Sequence, residues 1–174
     1  MLYQASPLLL FNKMEQEVYS VKEASTPAER ERIFKLRYEV LRQPWNQPEN
    51  TSSDELDDTA INAFIEDAHQ KVIACGRLQE NPGRIGQVRY MAVSPDFQGK
   101  GLGKKILVFL EQKAAESGLK SVQLQARENA VPFYKQCGYT VNEPTFLLWG
   151  LIQHYLMEKP VGAVESNTQA RDPF

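Results

Sequence analysis

The chain has 174 residues, with 22 acidic and 20 basic side chains and only two cysteines. This length is typical of one domain with its own core, and the balanced charge excludes a polybasic partner surface for nucleic acid or a membrane. Cys75 and Cys137 have neither the spacing of a metal site nor that of a disulfide framework, so we expect a cytoplasmic protein. The sequence contains no stretch near the roughly 20 apolar residues that span a bilayer.

The N-terminal part predicts a short strand followed by a capped helix. Residues 1–20 have no clear pattern and suit an extra strand, an interface arm or a mobile tail, whereas 21–24 are a strand candidate. Thr26, Pro27 and Glu29 have the types and spacing of an N-cap, a first helical residue and a capping-box partner. We therefore expect the main domain to begin near residue 21 and its first helix at Pro27.

Beyond this helix, strands and helices follow one another as far as residue 160. A loop rich in proline and asparagine (43–51) leads into an acidic run (52–58), in which Ser53 can cap a short helix. The next predicted elements are strands at 62–66, 71–79 and 85–93, a helix from Gly101 to about Ser117, a strand at 121–125, a helix at 129–136, and a hairpin of 139–141 and 153–159 with a long connection. A βαβ crossover places 121–125 beside the third of these strands. Residues 161–174 lack periodicity and are expected to be a disordered tail.

Three glycines at alternate positions mark the junction between the strand at 85–93 and the long helix. Gly99, Gly101 and Gly103 have no Cβ atoms, so their backbone N–H groups can point together into one concave surface. The helix that follows adds unpaired first-turn N–H groups and the positive end of its dipole. This combination predicts a cradle for phosphate groups, and we interpret it as a pyrophosphate site.

Three segments, in this order, resemble the GNAT superfamily of N-acetyltransferases. Residues 98–103 (Gln-Gly-Lys-Gly-Leu-Gly) match its Gln/Arg-x-x-Gly-x-Gly/Ala motif, 130–139 resemble its Ala-x-x-Phe/Leu-Tyr-x-x-x-Gly-Phe/Tyr element, and 154–159 resemble its last strand. The resemblance covers roughly residues 21–160. It implies an α/β (α+β) fold, with a mixed, mostly antiparallel sheet of about six to seven strands that is splayed into a V and flanked by about four helices.

The same resemblance implies that acetyl-CoA is held in the opening of the V and that no metal takes part. The pantetheine arm would pair with the strand before the cradle, and the pyrophosphate would lie on the cradle. The implied CoA-binding residues are Met91, Ala92, Val93, Gln98, Gly99, Lys100, Gly101, Leu102, Gly103, Lys104, Asn129 and Phe133. Arg127 is an alternative to Asn129, because it holds the position where relatives often carry their asparagine.

The resemblance also assigns an acid but leaves the base open. Tyr134 matches the tyrosine of the family and is the candidate general acid, since a phenol near the sulfur can protonate a leaving thiolate. Gln87 stands where many relatives have a glutamate, and glutamine cannot accept the proton. The other candidate bases are Glu39, Glu66, Glu80, Glu128 and His154. A mechanism without a dedicated base remains an alternative.

Specificity is expected to come from the loop 43–58 and from the last hairpin, because loops over a rigid sheet often carry such function. Trp45 and His154 are the candidate substrate contacts. The acidic run has two interpretations, a solvated surface or a site that favours a cationic amine such as a polyamine or a lysine side chain. Its carboxylates are Asp54, Glu55, Asp57 and Asp58.

These observations together predict an N-acetyltransferase that moves an acetyl group from acetyl-CoA directly to a primary amine of a small molecule or a peptide. A backbone N–H near Val93 is expected to polarise the thioester carbonyl. Nucleic-acid and membrane partners are not expected, and a homodimer stays open. Two other functions remain, a CoA-binding regulatory module without catalysis and an acyltransferase that uses a longer acyl-CoA.

Overall fold

A computed structural model describes residues 19–162, which form one seven-stranded sheet with three α-helices. The strands are β1 (Lys22–Glu23), β2 (Ile61–Glu66), β3 (Val72–Asn81), β4 (Ile85–Val93), β5 (Ser121–Arg127), β6 (Thr140–Leu148) and β7 (Ile152–Pro160). The helices are α1 (Pro27–Leu41), α2 (Leu102–Glu116) and α3 (Val131–Gln136). The predicted N-terminal arm and the predicted tail fall almost wholly outside the described residues.

Local signals determine where the two long helices begin. Thr26 and Glu29 form the predicted capping box at the start of α1, with Pro27 as its first residue. Helix α2 follows Gly101 and is followed by Gly118, whose φ of +69° favours glycine. The predicted positions of these helices and of β4 are therefore confirmed.

The sheet is mixed, as predicted, with the strand order β1-β2-β3-β4-β5-β7-β6. Strands β4 and β5 are parallel and joined through α2, which confirms the crossover, and the other neighbouring pairs are antiparallel. Helices α1 and α2 cover opposite faces, because successive strand residues alternate between faces. Phe64 of β2 packs with Ile33 of α1, whereas Ala63 and Ile65 belong to the same core as Leu110 of α2.

A bulge in β4 opens the sheet into the predicted V. Cys75 pairs with Ala92 and Arg77 with Arg89, so two residues of β4 lie opposite a single residue of β3. Tyr90 in this bulge has a φ of +53°, which is unusual for a residue other than glycine. A bulge bends and twists its strand, and pairing between β4 and β5 extends only from Ile85–Ser121 to Val88–Leu124. Beyond that point the two strands separate.

Two predictions about the periphery are wrong. The connection between β6 and β7 is a short turn at residues 149–151, because β6 extends to Leu148. Nearly all of β6 is solvent-exposed at the sheet edge, so it lacks the apolar alternation that marks a strand. The fourth predicted helix is the 3-10 helix Glu55–Asp58, and its cap is Asp54 rather than Ser53. Within residues 19–162 there is no helix with the length and apolarity to cross a membrane.

Candidate active site

The predicted phosphate cradle has the geometry of an anion site. Gly99 and Gly101 both have a φ of +76°, and a Cβ atom at either would meet nothing within 4 Å, so the loop surface is open. The first hydrogen bond of α2 runs from the N–H of Lys105 to the carbonyl of Gly101 at 3.1 Å, and Gly101 supplies no capping side chain. The N–H groups of the preceding first turn are therefore available to a ligand.

Around the cradle, most of the predicted residues can offer a ligand only main-chain groups, whereas two lysines offer charged side chains. Leu102 has only 1% of its surface exposed, so its side chain belongs to the core and only its main chain can serve a ligand. A Cβ atom at Gly103 would lie 3.5 Å from the ring of Phe133, which therefore packs behind the cradle. Lys100 and Lys104 are both exposed beside the loop, and the Lys100 ammonium lies 4.8 Å from the Phe97 ring centre.

The edge of β4 beyond the bulge offers main-chain groups to the opening. The N–H of Ser94 donates to Ile73 of β3 at 2.8 Å, and antiparallel pairing alternates along a strand. Ala92 therefore turns its main-chain groups towards β3, whereas Met91 and Val93 turn theirs towards β5. The side chain of Gln98 donates to the Val93 carbonyl at 3.3 Å and ties the cradle to this edge. Of the three predicted pantetheine contacts, Met91 and Val93 have the suitable orientation.

A cavity of about 480 Å³ lies where β4 and β5 separate. Its walls come from the end of α1, the bulge of β4, the end of β5, helix α3 and the last hairpin. The lining residues are Leu41, Arg42, Gln87, Val88, Arg89, Tyr90, Met91, Leu124, Gln125, Ala126, Arg127, Ala130, Tyr134, Phe146, Leu148 and His154. Tyr134 and His154, predicted from separate segments, thus share one cavity.

Tyr134 reaches this cavity from α3. The side chain is buried, and its ring packs edge-on against Phe133 and Tyr139 at centroid distances of 5.0 and 5.9 Å. Burial raises the pKa of Tyr134 well above its ordinary value of 10, so the phenol keeps its proton at neutral pH. A protonated phenol beside the cavity is suited to be a general acid.

His154 on β7 has the arrangement of a neutral base. Its Nδ1 lies 2.9 Å from the carbonyl oxygen of Ile152, so a proton on Nδ1 is donated there and Nε2 keeps its lone pair. The ring stacks on Phe146, with centroids 4.6 Å apart and planes inclined by 15°. Burial, with a smaller effect of Arg127, lowers the pKa of His154 below 6.5. The imidazole is therefore neutral at pH 7.

The other proposed bases lie elsewhere. Glu66 is paired with Lys22 and Arg32 near the β1 edge of the sheet, and Glu39 and Glu80 lie in separate surface grooves. Glu128 is exposed and accepts a hydrogen bond from Tyr155 at 3.5 Å. These four carboxylates do not line the cavity.

Two further positions that the sequence left open are now located. Gln87 lines the cavity, but its Oε1 accepts from Gln79 and Asn81 at 3.3 and 3.1 Å. Arg127, at the end of β5, also lines the cavity, whereas Asn129 is exposed in the 3-10 helix that follows. Of these two alternatives, Arg127 is thus the one that lines the cavity, and which ligand it contacts stays a prediction.

The acidic run has a role that neither interpretation anticipated. Asp57 is 4% exposed and lies 2.9 Å from Arg37 and 3.1 Å from Arg77, two guanidinium groups that are fully buried. Asp54 binds Arg77 at 2.6 Å, and this hydrogen bond lowers the pKa of Asp54. The solvated-surface interpretation is therefore wrong for these two carboxylates. Because both are already paired with arginine, they are also poorly suited to bind a cationic amine.

Tyr90 and Trp149 gave no signal in the sequence. Tyr90 lies between the two buried guanidinium groups, 4.3 Å from Arg37 and 4.9 Å from Arg77, and its hydroxyl donates to Asp54 at 3.3 Å. Trp45, a predicted substrate contact, does not line the cavity. Its ring packs on that of Trp149, with centroids 6.2 Å apart, and lies 5.8 Å from the guanidinium group of the lining residue Arg127. These contacts join segments distant in sequence, so no local spacing could have indicated them. Residues 19–162 contain no cluster of three or more His, Cys, Asp or Glu side chains that could hold a metal ion.

The sequence and the fold both have counterparts among known proteins. The model of the Acetyltransferase (GNAT) family matches residues 30–139. The uncharacterized N-acetyltransferase YjcF of Bacillus subtilis is 34% identical over 127 residues, which make up 72% of this chain and 89% of that protein. A crystal structure from Lactobacillus plantarum, provisionally described as an N-acetyltransferase, aligns with a TM-score of 0.74 at 20% identity, over 83% of this chain and 99% of that one.

A second solved structure is an aminoglycoside 6'-N-acetyltransferase complexed with coenzyme A. It aligns with a TM-score of 0.69 at 14% identity, over 82% of this chain and 97% of that one. At such identities the two structures support the fold alone. The family model covers more than half of the sequence, including the cradle and Tyr134. The chain therefore belongs to the acetyltransferase (GNAT) family.

Proposed function

We propose that this protein is an acetyl-CoA-dependent N-acetyltransferase that acts directly on a primary amine. The observation that carries this proposal is the cavity between β4 and β5, which contains a protonated phenol, a neutral imidazole and an edge of β4 that is not paired with β5. The phosphate cradle lies at the end of that same strand edge. A ligand that joins a pyrophosphate, an amide-bearing arm and an acyl thioester matches this sequence of features.

The described residues fit coenzyme A at both ends of the opening. Gly99 and Gly101 leave the cradle surface uncovered, and the first-turn N–H groups of α2 supply donors for phosphate oxygens. The main-chain groups of Met91 and Val93 can pair with the amides of the pantetheine arm as an added strand would. Lys100 and Lys104 add positive charge beside the cradle.

Three groups of the chain would carry the chemistry. Acetyl-CoA, when bound, supplies a thioester carbonyl that a neutral amine attacks. A backbone N–H of the β4 edge near Val93 donates to that carbonyl oxygen as negative charge develops on it. His154 Nε2 accepts the proton that the amine loses, directly or through water, and the Tyr134 hydroxyl donates a proton to the departing sulfur. A C–N bond forms, the C–S bond breaks, and both side chains return to their starting states by exchange with water.

The test uses the full chain with acetyl-CoA and a broad panel of primary amines, including diamines, amino acids and short peptides. We expect release of the CoA thiol together with an acetylated product in mass spectrometry. Binding of CoA without thiol release for any amine would favour the silent regulatory module instead. Faster turnover with butyryl-CoA than with acetyl-CoA would favour the longer-acyl alternative. A protein that shows no calorimetric binding of CoA would refute the proposal.

A cytoplasmic location and a homodimer remain predictions that accompany this proposal. Cys75 and Cys137 are both free thiols in the structure, which agrees with a reducing compartment. The exposed edge strand β6 offers main-chain groups that a second copy could pair with. Light scattering on the purified protein tests the dimer, and a mass equal to one chain at micromolar concentration would exclude it.

A further inference from the structure

The cavity has a strongly one-sided charge. Among the described residues that line it, three are arginines (Arg42, Arg89 and Arg127) and none is an aspartate or a glutamate. His154, the remaining titratable base on the wall, is neutral at pH 7. A cationic acceptor would therefore meet repulsion here rather than attraction.

Two of the three arginines converge on one point. Arg42 Nη1 donates to the carbonyl oxygen of Leu41 at 3.1 Å, and Arg127 Nη2 donates to the same oxygen at 3.4 Å. The two nitrogens are thus no farther apart than the sum of those distances. Neither side chain has a carboxylate within ion-pair distance in the part of the chain that the structure describes. Both are half-buried.

The lack of counter-ions has an electrostatic cost. Burial lowers the pKa of both Arg42 and Arg127. The positive charge of Arg89 lowers the pKa of Arg42 further, and the positive charge of Arg42 does the same to Arg127. By contrast, the fully buried Arg37 and Arg77 are neutralised by Asp54 and Asp57. These two carboxylates are thus already paired with other arginines and cannot serve as counter-ions for Arg42 and Arg127. An anion between Arg42 and Arg127 would offset this cost, because half-buried guanidinium groups form strong charge-assisted hydrogen bonds.

The location of this pair indicates a substrate rather than the coenzyme. Arg42 follows α1 and lies over the Trp149 ring at 5.7 Å, while Arg127 lies over the Trp45 ring at 5.8 Å. The two tryptophans pack on each other beside these arginines, which line the cavity, whereas the cradle lies at the start of α2. Arg127 is also the direct strand partner of His154. An anionic group held by Arg127 would therefore belong to the molecule whose amine faces His154.

We propose that the acceptor amine carries an oxyanion, a carboxylate or a phosphate, which Arg42 and Arg127 bind. Arg89 on the opposite wall adds a third positive charge; its nearest carboxylate oxygen, on Asp54, is 3.8 Å away and that residue already binds Arg77. Guanidinium groups suit this role because their fork of donors matches the two oxygens of a carboxylate or those of a phosphate. This inference rests on the proposed N-acetyltransferase function and specifies its substrate class.

A matched set of acceptors tests the charge requirement in the wild-type protein. β-Alanine, β-alaninamide and 1,3-diaminopropane present the same primary amine with an anionic, a neutral or a cationic group at the other end, and phosphoethanolamine adds a phosphate arm. We expect kcat/KM to be about 10- to 100-fold higher for at least one anionic acceptor than for the neutral one, and lowest for the diamine. Propionate should compete with the anionic acceptor, whereas propionamide should not.

Variants of Arg42 and Arg127 then test whether these side chains bind the anionic group of the acceptor. Arg42→Gln and Arg127→Gln should each raise KM for the anionic acceptor about 10-fold or more, and by a clearly larger factor than they raise KM for the neutral acceptor. A merely structural role would lower turnover of all acceptors alike. Arg84→Gln is the control, because Arg84 is exposed and contacts Ser117 at the far end of α2. If neutral or cationic amines are acetylated as well as anionic ones, this inference is wrong while the proposed function stands. If no amine releases thiol, both fall.

Discussion

Replacing Tyr134 by Phe tests the proposed acid with the smallest change the chain allows. The substitution removes one hydroxyl and keeps the ring that packs on Phe133 and Tyr139 at 5.0 and 5.9 Å. Burial keeps the pKa of Tyr134 far above neutral, so the wild-type group enters the reaction protonated. The variant therefore lacks the proton that the departing sulfur is expected to receive, while the cradle and the β4 edge are unchanged.

The expected loss of kcat can be estimated from the catalytic groups that remain in the variant. A positioned general acid contributes typically about 10²- to 10⁴-fold to the rate. Since His154 and the strand amides are intact in the variant, we expect kcat to fall about 10²- to 10³-fold, or roughly 3–4 kcal/mol in the barrier. Because the ring keeps its packing, the free energy of unfolding should change by about 1 kcal/mol or less. The dissociation constant of CoA should stay within about twofold of the wild-type value.

The assay compares steady-state thiol release with calorimetric CoA binding and thermal melting. Tyr139→Phe is the matched control, because its hydroxyl is buried beside Glu111 and the residue does not line the cavity. That control should retain kcat within about twofold. If Tyr134→Phe turns over acceptor at the wild-type rate, the acid has been assigned to the wrong group. An equal loss in both variants would instead indicate damage to their shared packing.

Three further predictions concern the cradle, the base and the buried ion pairs. Gly101→Ala should weaken CoA binding at least about 10-fold, because a side chain is strained at a φ of +76° and disturbs the donor surface, as calorimetry can measure. His154→Gln should lower kcat/KM and remove the part of its acid limb that protonation of the free amine does not explain. The pKa of His154 is lowered, so the wild-type base is protonated, and this part of the rate lost, only as the pH falls below about 6.5, its ordinary value. Asp57→Ala should cost about 3–5 kcal/mol in urea unfolding, because it leaves the buried cations of Arg37 and Arg77 short of a counter-ion.

Each of these predictions has a control in the same chain. Gly83→Ala introduces comparable strain, at a φ of +86° in the turn before β4, and should leave CoA binding intact. His69→Gln alters the other histidine, which is exposed, and should keep the acid limb. Asp58→Ala removes a carboxylate that is 81% exposed and should cost less than about 1 kcal/mol. If a control variant loses the measured property as strongly as its test variant does, the corresponding assignment is wrong.

The features that the sequence predicted well are made by neighbours in the chain. The capping box of Thr26 and Glu29 involves residues three apart, and it fixed the start of α1. The cradle is continuous from the end of β4 to the start of α2, so its glycines and its helix terminus could be recognised together. Tyr134 could be named as the candidate acid for a similar reason, since a family element surrounds it on one short segment, and its role stays a prediction.

The contacts of the acidic run and of the cavity arginines could not be predicted, because they join residues that are far apart in the sequence. Whether Asp57 is solvated or buried depends on Arg37 and Arg77, each 20 residues away in the sequence. The convergence of Arg42 and Arg127 depends on the end of α1 meeting the end of β5. Composition and spacing contain no information about such long-range contacts. This is why the acidic run allowed a cationic amine as one of two interpretations, although the described cavity lining contains three arginines and no aspartate or glutamate.

The amino-acid sequence by itself determined the positions of α1, α2 and β4 and pointed to the phosphate cradle and the acid candidate, because capping, turn and helix-terminus interactions act over a few residues. Tertiary structure alone decided that His154 faces the same cavity as Tyr134 and that the cavity wall is cationic. The physical reason is that the bulge at Tyr90 and the separation of β4 from β5 set which distant side chains meet. Those contacts depend on sheet register and packing, which no single segment specifies.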